Sequence, residues 1–211
     1  MLEYHEDIEK YNANNSQENG FITDIKDGAI FCLRPNTGNQ VSIVWHTDGA
    51  AVVKSNSLNI WPIMCFVVNL PPHLRYSYKN LLLAALSYGK PKHPDMKIFQ
   101  KYFVEEIKEL QNGFDVSINQ VSVRFFLQIQ GHLADLPGKA MSLNMKQFNG
   151  SFGCSMCLHP GKILEGSRST RVYPFNPNPA PHRNCTDSIL HAQIAERTGI
   201  TTFGFKGKSP A

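Results

Sequence analysis

The stretch from Val41 to Pro72 constrains the fold most strongly, because it joins strand-like alternation to a sharp turn. Val41, Ile43 and Trp45 alternate with the residues between them, which is typical of a β-strand with one face in a core. The strand ends in Thr47-Asp48-Gly49, where the glycine lets the backbone turn sharply. A short second strand and a long apolar third strand follow, so the stretch predicts three successive strands.

Asp48 lies where the first of these strands ends, and two interpretations of it are open. A carboxylate held on a rigid scaffold can serve as a metal ligand. An Asp-Gly pair is equally a common hairpin corner, and the spacing taken alone favours that corner. The rest of the chain is therefore needed to decide between them.

The composition excludes several classes of protein. The 211 residues, of which 18% are charged, suffice for one substantial core or a core with a smaller appendage. The longest apolar run, residues 60–70, is too short to span a bilayer, so we expect no membrane partner. The polar, acidic first residues are unlike a secretory signal. The net charge of +4 is compatible with a nucleic-acid partner but too small to indicate one.

The remaining segments predict alternating strands and helices. A short polar helix is expected over Glu3–Tyr11, and residues 21–40 are expected to form a hairpin or lead-in arm. The apolar run that ends at Gly89 fits either a strand or a helix. A helix capped by Asp95 and extending to Gln111 follows it.

Strand alternation then covers residues 116–129, around a turn at Asn119, and delivers Asp135. Helices are expected from there to about Met145 and over Thr186–Thr198. This order of strands and helices predicts an α/β layer fold.

Asp48 and Asp135 form the first candidate site. Each follows a predicted strand of the same inferred sheet, and two such carboxylates can hold Mg²⁺ or Mn²⁺ through oxygen. Two ions about 3.5–4 Å apart would permit in-line attack on a phosphodiester. The alternative for Asp135 is a helix N-cap, because Asp-Leu-Pro is a good first turn, and the residues alone favour that cap.

The cysteines form the second candidate site. Without a secretory signal a disulfide framework is not expected, and Cys32 and Cys65 are predicted to be buried small hydrophobes. Three others lie late in the chain, and two of them have the C-x2-C spacing of half a tetrahedral zinc site. The candidate zinc ligands are Cys154, Cys157 and Cys185, with His159 or His182 as the fourth. A redox C-x-x-C is the rival, although that motif normally opens a helix.

Basic residues are scattered through the chain from Lys90 onward. Contacts with DNA phosphates would require them on one face, whereas a solvated surface is the commoner explanation. They are Lys90, Lys92, His93, Lys162, Arg168, Arg171, Arg183, Lys206 and Lys208.

Several longer motifs occur in a fixed order. They are TDG, KSNSLNIWPI, NLPPHLR, GKPKHPDMKIFQKYFVEEIKEL, ADLPGKAMSLNMKQFNGSFGCSMCLHPG and FKGKSPA. In this order and at these distances the chain resembles the catalytic region of CACTA-type transposases, specifically the animal relatives of the plant enzymes. The resemblance covers the chain from about Val41 onward.

The resemblance implies a ribonuclease-H-like mixed sheet flanked by helices, with a DDE-type metal site for DNA strand cleavage and joining. Asp48 matches the first acid of that family, and Asp135 matches the acid of its D-x-P motif. Cys154 and Cys157 match a C-x2-C insertion, and Cys185 falls where relatives often carry His or Cys. Catalytic Mg²⁺ or Mn²⁺, structural Zn²⁺, a DNA partner and a nuclear location follow as expectations, and a homo-oligomer is compatible with the full-length family form.

The resemblance also implies an incomplete catalytic site. The family's Asp-x-x-His motif, its catalytic glutamate and its helical C-terminal part would lie beyond Ala211. We therefore expect an N-terminal arm and hairpin over 1–40, a ribonuclease-H-like core over 41–150, and over 151–211 a cysteine- and proline-rich insertion with the start of an incomplete C-terminal part. The alternatives are a domesticated, non-catalytic module that binds DNA or protein, and a non-functional transposon remnant.

Overall fold

The computed structural model describes residues 4–14, 22–32, 39–53, 58–90 and 93–210. Within them the helices are α1 His5–Asn14, α2 Ala29–Cys32, α3 Pro72–Arg75, α4 Met96–Gln111, α5 Leu136–Ser142 and α6 Cys185–Thr198. The strands are β1 Gln40–Thr47, β2 Ala50–Val53, β3 Leu58–Val67, β4 Leu82–Gly89, β5 Phe114–Ile118, β6 Val121–Leu133, β7 Lys162–Ile163 and β8 Arg171–Val172. The expected mixed α/β class is confirmed.

The chain divides into two compact units. The sheet unit comprises residues 1–90 and 105–133, and the C-terminal unit comprises residues 91–104 and 134–211. The division passes through α4, between Val104 and Glu105. The boundaries expected at residues 40 and 150 remain predictions.

The sheet unit is built on a six-stranded mixed sheet. β1 and β2 pair one after the other with the same edge of β3, and β4 pairs with its other edge. Beyond β1 the sheet continues with β6 and then β5. The pairs β1–β3, β3–β4 and β5–β6 are antiparallel, whereas β1 and β6 are parallel. The apolar run that ends at Gly89 is therefore a strand rather than a helix.

β1 occupies the middle of this sheet, between β3 and β6. The alternation predicted one buried face, but four successive residues, Ser42, Ile43, Val44 and Trp45, are all buried. One face was expected in the core, and both are buried because β1 is a central strand of the sheet. The turn predicted at Asn119 is confirmed, since Asn119 and Gln120 have positive φ angles of 49° and 65° between β5 and β6.

Of the two forms expected before β1, a hairpin or a lead-in arm, the described residues do not form the hairpin. Over residues 22–32 the segment forms a 3₁₀ turn, Ile25–Asp27, and the short helix α2. Asp24 caps the turn by accepting a hydrogen bond from its neighbour's backbone amide. Cys32 is exposed, so its predicted burial was wrong, whereas Cys65 is buried. Residues 33–38 of the expected arm and the predicted helix start at Glu3 lie outside the described residues.

A buried ion pair holds this segment in place within the sheet unit. The guanidinium of Arg75, 1% exposed, donates two hydrogen bonds to the carboxylate of Asp24 at 2.6 and 2.8 Å. It also donates hydrogen bonds to the carbonyl oxygens of Val68 and Leu70. The guanidinium is therefore bound by backbone oxygens as well as by a carboxylate. Burial alone would raise the pKa of Asp24, but hydrogen bonds from Arg75 and Tyr11 outweigh it and lower that pKa to about 2.

The C-terminal unit has a smaller core. Met145, Ala192, Ala195 and Phe205 are buried together, with Leu143 packed against them. Its helix α6 begins at the N-cap Asn184 and ends at Gly199, whose φ of 68° suits a left-handed C-cap. No helix in the described part of the chain combines the length and apolar character that crossing a membrane requires.

We predict that Arg75→Met destabilises the protein by about 3–5 kcal/mol, because it leaves the carboxylate of Asp24 buried without its counter-charge. Urea unfolding measures the change. The matched control is Arg124→Met, which breaks a half-exposed pair with Asp115 and should cost less than about 1 kcal/mol. Because the pKa of folded Asp24 is depressed, the pair's contribution is complete above pH 4 and is lost as the pH falls towards 2. Equal effects of the two substitutions would contradict this assignment.

Candidate functional site

The ends of β1 and β6 define the candidate catalytic edge. The two strands run parallel, with His46 paired to Leu133, so both end at the same edge of the sheet. Along the chain, Asp48 lies two residues beyond His46 and Asp135 two residues beyond Leu133. The sequence prediction that an acid follows each of two strands of one sheet is confirmed.

A stacked ring pair joins these two strands shortly before they end. The indole of Trp45 and the imidazole of His132 lie with centroids 3.6 Å apart and planes 10° from parallel. Trp45 is buried and His132 is half-buried. Each lies three residues before one of the candidate acids, so the stack fixes the strands that lead to both.

Asp48 is exposed between β1 and β2. The sharp turn predicted there is wrong, because Thr47 pairs with Ile63 and Ala50 with Ile60, so β1 and β2 continue along β3 in one register. The Oδ1 of Asp48 accepts a hydrogen bond from the backbone amide of Gly49 at 2.7 Å. The residue before it, Thr47, is fully buried and donates its hydroxyl to the carbonyl of Pro62 at 2.9 Å. One carboxylate oxygen is therefore held by backbone, on a strand end that is itself fixed.

Gly49 is required between β1 and β2 by a close approach. A Cβ at this position would lie 2.4 Å from a ring carbon of Trp61, so the indole packs directly on the glycine backbone. The glycine was predicted for turning, whereas its role in the structure is to make room for Trp61. Alternation on β3 places Trp61 on the same face as the buried Ile63 and is the signal that could have indicated it.

Asp135 caps α5. Its Oδ1 accepts a hydrogen bond from the backbone amide of Gly138 at 2.6 Å, as an N-cap residue does. The N-cap interpretation is thus confirmed, and the side chain is nevertheless exposed. A cap uses one oxygen of a carboxylate that has two, so capping and metal binding are compatible.

The C-x2-C loop brings its two thiols together. The sulfur of Cys154 accepts a hydrogen bond from the amide of Met156, and the two cysteine side chains interact with each other. Burial raises the pKa of Cys154, but backbone amides, Cys157 and the charge of Arg183 outweigh it and hold that pKa below its usual value. Burial and the neighbouring thiol raise the pKa of Cys157. Such a pair of sulfurs is the arrangement of half a thiolate metal site.

The two candidate histidines differ in what their environments allow. Cys157 and His182 lie opposite each other in an antiparallel bridge, between the backbone bonds Leu158 N to Pro181 O and Arg183 N to Met156 O. That is a non-hydrogen-bonded pair, in which the side chains share one face at the shortest spacing. The Nδ1 of His159 instead accepts a hydrogen bond from Gly161 at 2.8 Å.

Cys185 does not form a complete metal site with the other candidate zinc ligands. It is exposed at the start of α6 and lines a groove of about 590 Å³ together with Ser155 and Arg183. Within the described ranges no three His, Cys, Asp or Glu side chains are grouped as a metal site. The structure therefore brings Cys154 and Cys157 together and does not gather the predicted set of four.

We predict that Gly49→Ala destabilises the protein by about 1–3 kcal/mol, because the added methyl group must displace the indole of Trp61. Thermal or urea unfolding measures this. Trp61→Phe provides space, so the double variant should be more stable than the sum of the two single changes implies. Strict additivity of the two effects would contradict the proposed contact.

Two comparisons with known proteins were made, and one of them indicates the family of the chain. A search of curated proteins found no match. The model of the family described as transposase family tnp2 matches residues 35–172, about two thirds of the sequence. The matched region contains β1, β6, both candidate acids and the C-x2-C loop, and it ends before His182 and Cys185. The chain belongs to the tnp2 family of transposases.

Proposed function

We propose that this transposase-family domain takes part in metal-dependent DNA strand cleavage and transfer. The observation that carries the proposal is the placement of Asp48 and Asp135 directly after two adjacent parallel strands, in a chain of a transposase family. Asp48 and Asp135 would be ligands of Mg²⁺ or Mn²⁺. The substrate would be DNA, and the location would be the nucleus.

The topology of the sheet unit supports a ribonuclease-H-like fold for this function. The strands β1, β3 and β4 follow one another as antiparallel neighbours, α4 follows them, and β6 then returns parallel to β1. A mixed sheet is what the resemblance to CACTA-type transposases implies. We extend the family assignment to that type, and to its animal branch, as part of the proposal.

The two carboxylates suit the proposed role through their fixed positions. Each uses one oxygen to accept a backbone amide, Asp48 from Gly49 and Asp135 from Gly138. Preset ligands need not be ordered when an ion binds, which lowers the entropic cost of binding. When bound, divalent ions supply Lewis-acid activation of the attacking oxygen and stabilise the leaving oxygen. The family resemblance implies a third carboxylate, and no described residue is assigned to it.

The second candidate function is a non-catalytic module that binds DNA or protein. The observation that favours it is that the described residues offer no group of three metal-binding side chains. In such a module Asp135 would act as a helix cap, and Asp48 would only link β1 to β2. DNA binding without cleavage in the presence of Mn²⁺ would support this candidate.

We predict that Asp48→Asn and Asp135→Asn, each made in the full natural protein, lower Mn²⁺-dependent nicking of supercoiled DNA at least about 100-fold. Asparagine keeps the N-cap hydrogen bond, so the stability should change little and only the charge is lost. The matched control is Asp95→Asn, since Asp95 is also an exposed aspartate whose Oδ1 accepts a backbone amide, that of Lys97, at the start of a helix. The control should cleave normally. Normal cleavage by Asp48→Asn or Asp135→Asn would exclude the proposed site.

We further propose a structural Zn²⁺ held by Cys154, Cys157, His182 and Cys185. The fit rests on the paired thiols and on the position of His182 opposite Cys157. A histidine whose Nδ1 accepts a backbone amide carries its proton on Nε2, so His159 has no free lone pair for a metal. The structure therefore supports His182 over His159 as the fourth ligand.

We predict about one Zn²⁺ per chain by elemental analysis of the purified protein. His182→Asn and Cys185→Ser should lower the zinc content and the melting temperature, whereas His159→Asn should retain the metal. Substitution by Co²⁺ gives an independent measurement, because thiolate-to-cobalt absorption scales with the number of cysteine ligands. Zinc-free protein, or loss of zinc from His159→Asn alone, would contradict the assignment.

A further inference from the structure

The two units of the chain carry opposite net charges. The C-terminal unit contains twelve Lys and Arg residues against five Asp and Glu, a net charge of +7. The sheet unit contains nine against twelve, a net charge of −3. The modest overall charge of +4 therefore conceals a strongly basic unit. A unit of this size and charge favours polyanionic partners.

The hairpin formed by β7 and β8 presents part of that charge on a defined scaffold. Its tip is closed by Ser167, whose amide donates to the carbonyl of Leu164 at 3.0 Å and whose Oγ accepts the amide of Thr170 at 2.9 Å. Lys162 and Arg168 are exposed on this hairpin. Cations held on an ordered turn lose less conformational entropy on binding a phosphate than cations on a flexible loop.

The base of the hairpin is fixed by two other side chains. Arg171 donates to the carbonyl oxygens of Pro160 and Gly161 at 3.0 and 3.1 Å. The hydroxyl of Tyr173 donates to the carbonyl of Gly150 and accepts the amide of Gly153. Arg171 and Tyr173 are therefore structural, and the exposed cations Lys162 and Arg168 remain available to a partner.

An exposed aromatic ring follows the hairpin. Phe175 lies three residues beyond the end of β8 and is 93% exposed. It stands between Pro174 and the Asn176-Pro177 pair, so the neighbouring backbone is restricted. At the hairpin itself the apolar side chains of Ile163 and Leu164 are 45% and 47% exposed. Exposed apolar groups among cations are typical of surfaces that stack on or insert between bases.

We propose that the β7–β8 hairpin and Phe175 form a DNA-binding surface that also captures an unpaired base. Lys162 and Arg168 contact backbone phosphates, and the ring of Phe175 stacks on a base that has left the duplex stack. Stacking accepts any base, so the surface binds without sequence readout. The inference rests on the proposed function only for the choice of DNA as the polyanion.

The phosphate contacts are tested by the salt dependence of DNA binding, measured by fluorescence anisotropy with Ca²⁺ in place of Mn²⁺. The double variant Lys162→Gln/Arg168→Gln should weaken binding at least about tenfold and reduce the slope of log K against log salt by about 2. The matched control is Lys79→Gln/Lys108→Gln, which removes the same charge from exposed positions of the sheet unit. Equal loss in both double variants would overturn the assignment to the hairpin.

The stacking role is tested with an oligonucleotide that carries 2-aminopurine at one unpaired position. Binding of the wild-type protein should change its fluorescence, Phe175→Leu should abolish that change, and Phe175→Tyr should restore it. Phe175→Leu should also lower affinity for single-stranded DNA roughly 5- to 100-fold without altering the salt slope. Unaltered fluorescence in Phe175→Leu would overturn the stacking role, and tighter binding of single-stranded RNA than DNA would overturn the choice of partner.

These outcomes are separate from those for the proposed function. Hairpin-dependent binding without any Mn²⁺-dependent cleavage would support this surface and contradict the cleavage assignment. Cleavage that depends on Asp48 while binding is unaffected by the hairpin variants would do the reverse.

Discussion

The parallel pairing of β1 with β6 is the constraint on which the rest of the structure depends. It buries β1 on both faces, and it makes two segments about 90 residues apart in sequence end at one edge of the sheet. The Trp45–His132 stack reinforces that pairing immediately before the edge. Because a parallel pair needs a long crossover, the intervening strands and α4 are the connection that makes this edge possible. Each of these strand ends is followed along the chain by one of the candidate acids.

Local patterns predicted most of the elements but not their environment. Alternation and turn residues were sufficient for β1, β5, β6 and the helices α4, α5 and α6, because those signals act within a few residues. They missed the double-sided burial of β1 and the helical turns near Ile25, because both depend on which elements pack together. The Asp24–Arg75 pair joins residues 51 positions apart, and no local signal in either segment indicates the other. Lys92, one of the scattered cations, lies outside the described residues.

The same limit applies to the candidate sites. Spacing identified Asp48, Asp135 and the C-x2-C pair, because each belongs to a short motif. Spacing did not separate His159 from His182, since that choice depends on a hydrogen bond to Gly161 and on a bridge between residues 25 positions apart. Trp61 was not predicted, because the residues next to Gly49 in the sequence do not indicate that an indole packs on it. The scattered basic residues could be interpreted only after the chain was divided into two units, because the C-terminal unit carries the net positive charge.

The helix cap at Asp135 explains why this position holds an aspartate rather than a glutamate. A divalent ion would accept an oxygen from either side chain. An N-cap, however, needs a short side chain that can return to an amide three residues later, and glutamate is not among the residues that do so well. The geometry of α5, not the preference of the ion, therefore selects the acid. With the proposed metal role added to the cap, this position would meet two unrelated demands and would tolerate fewer substitutions than either demand allows alone.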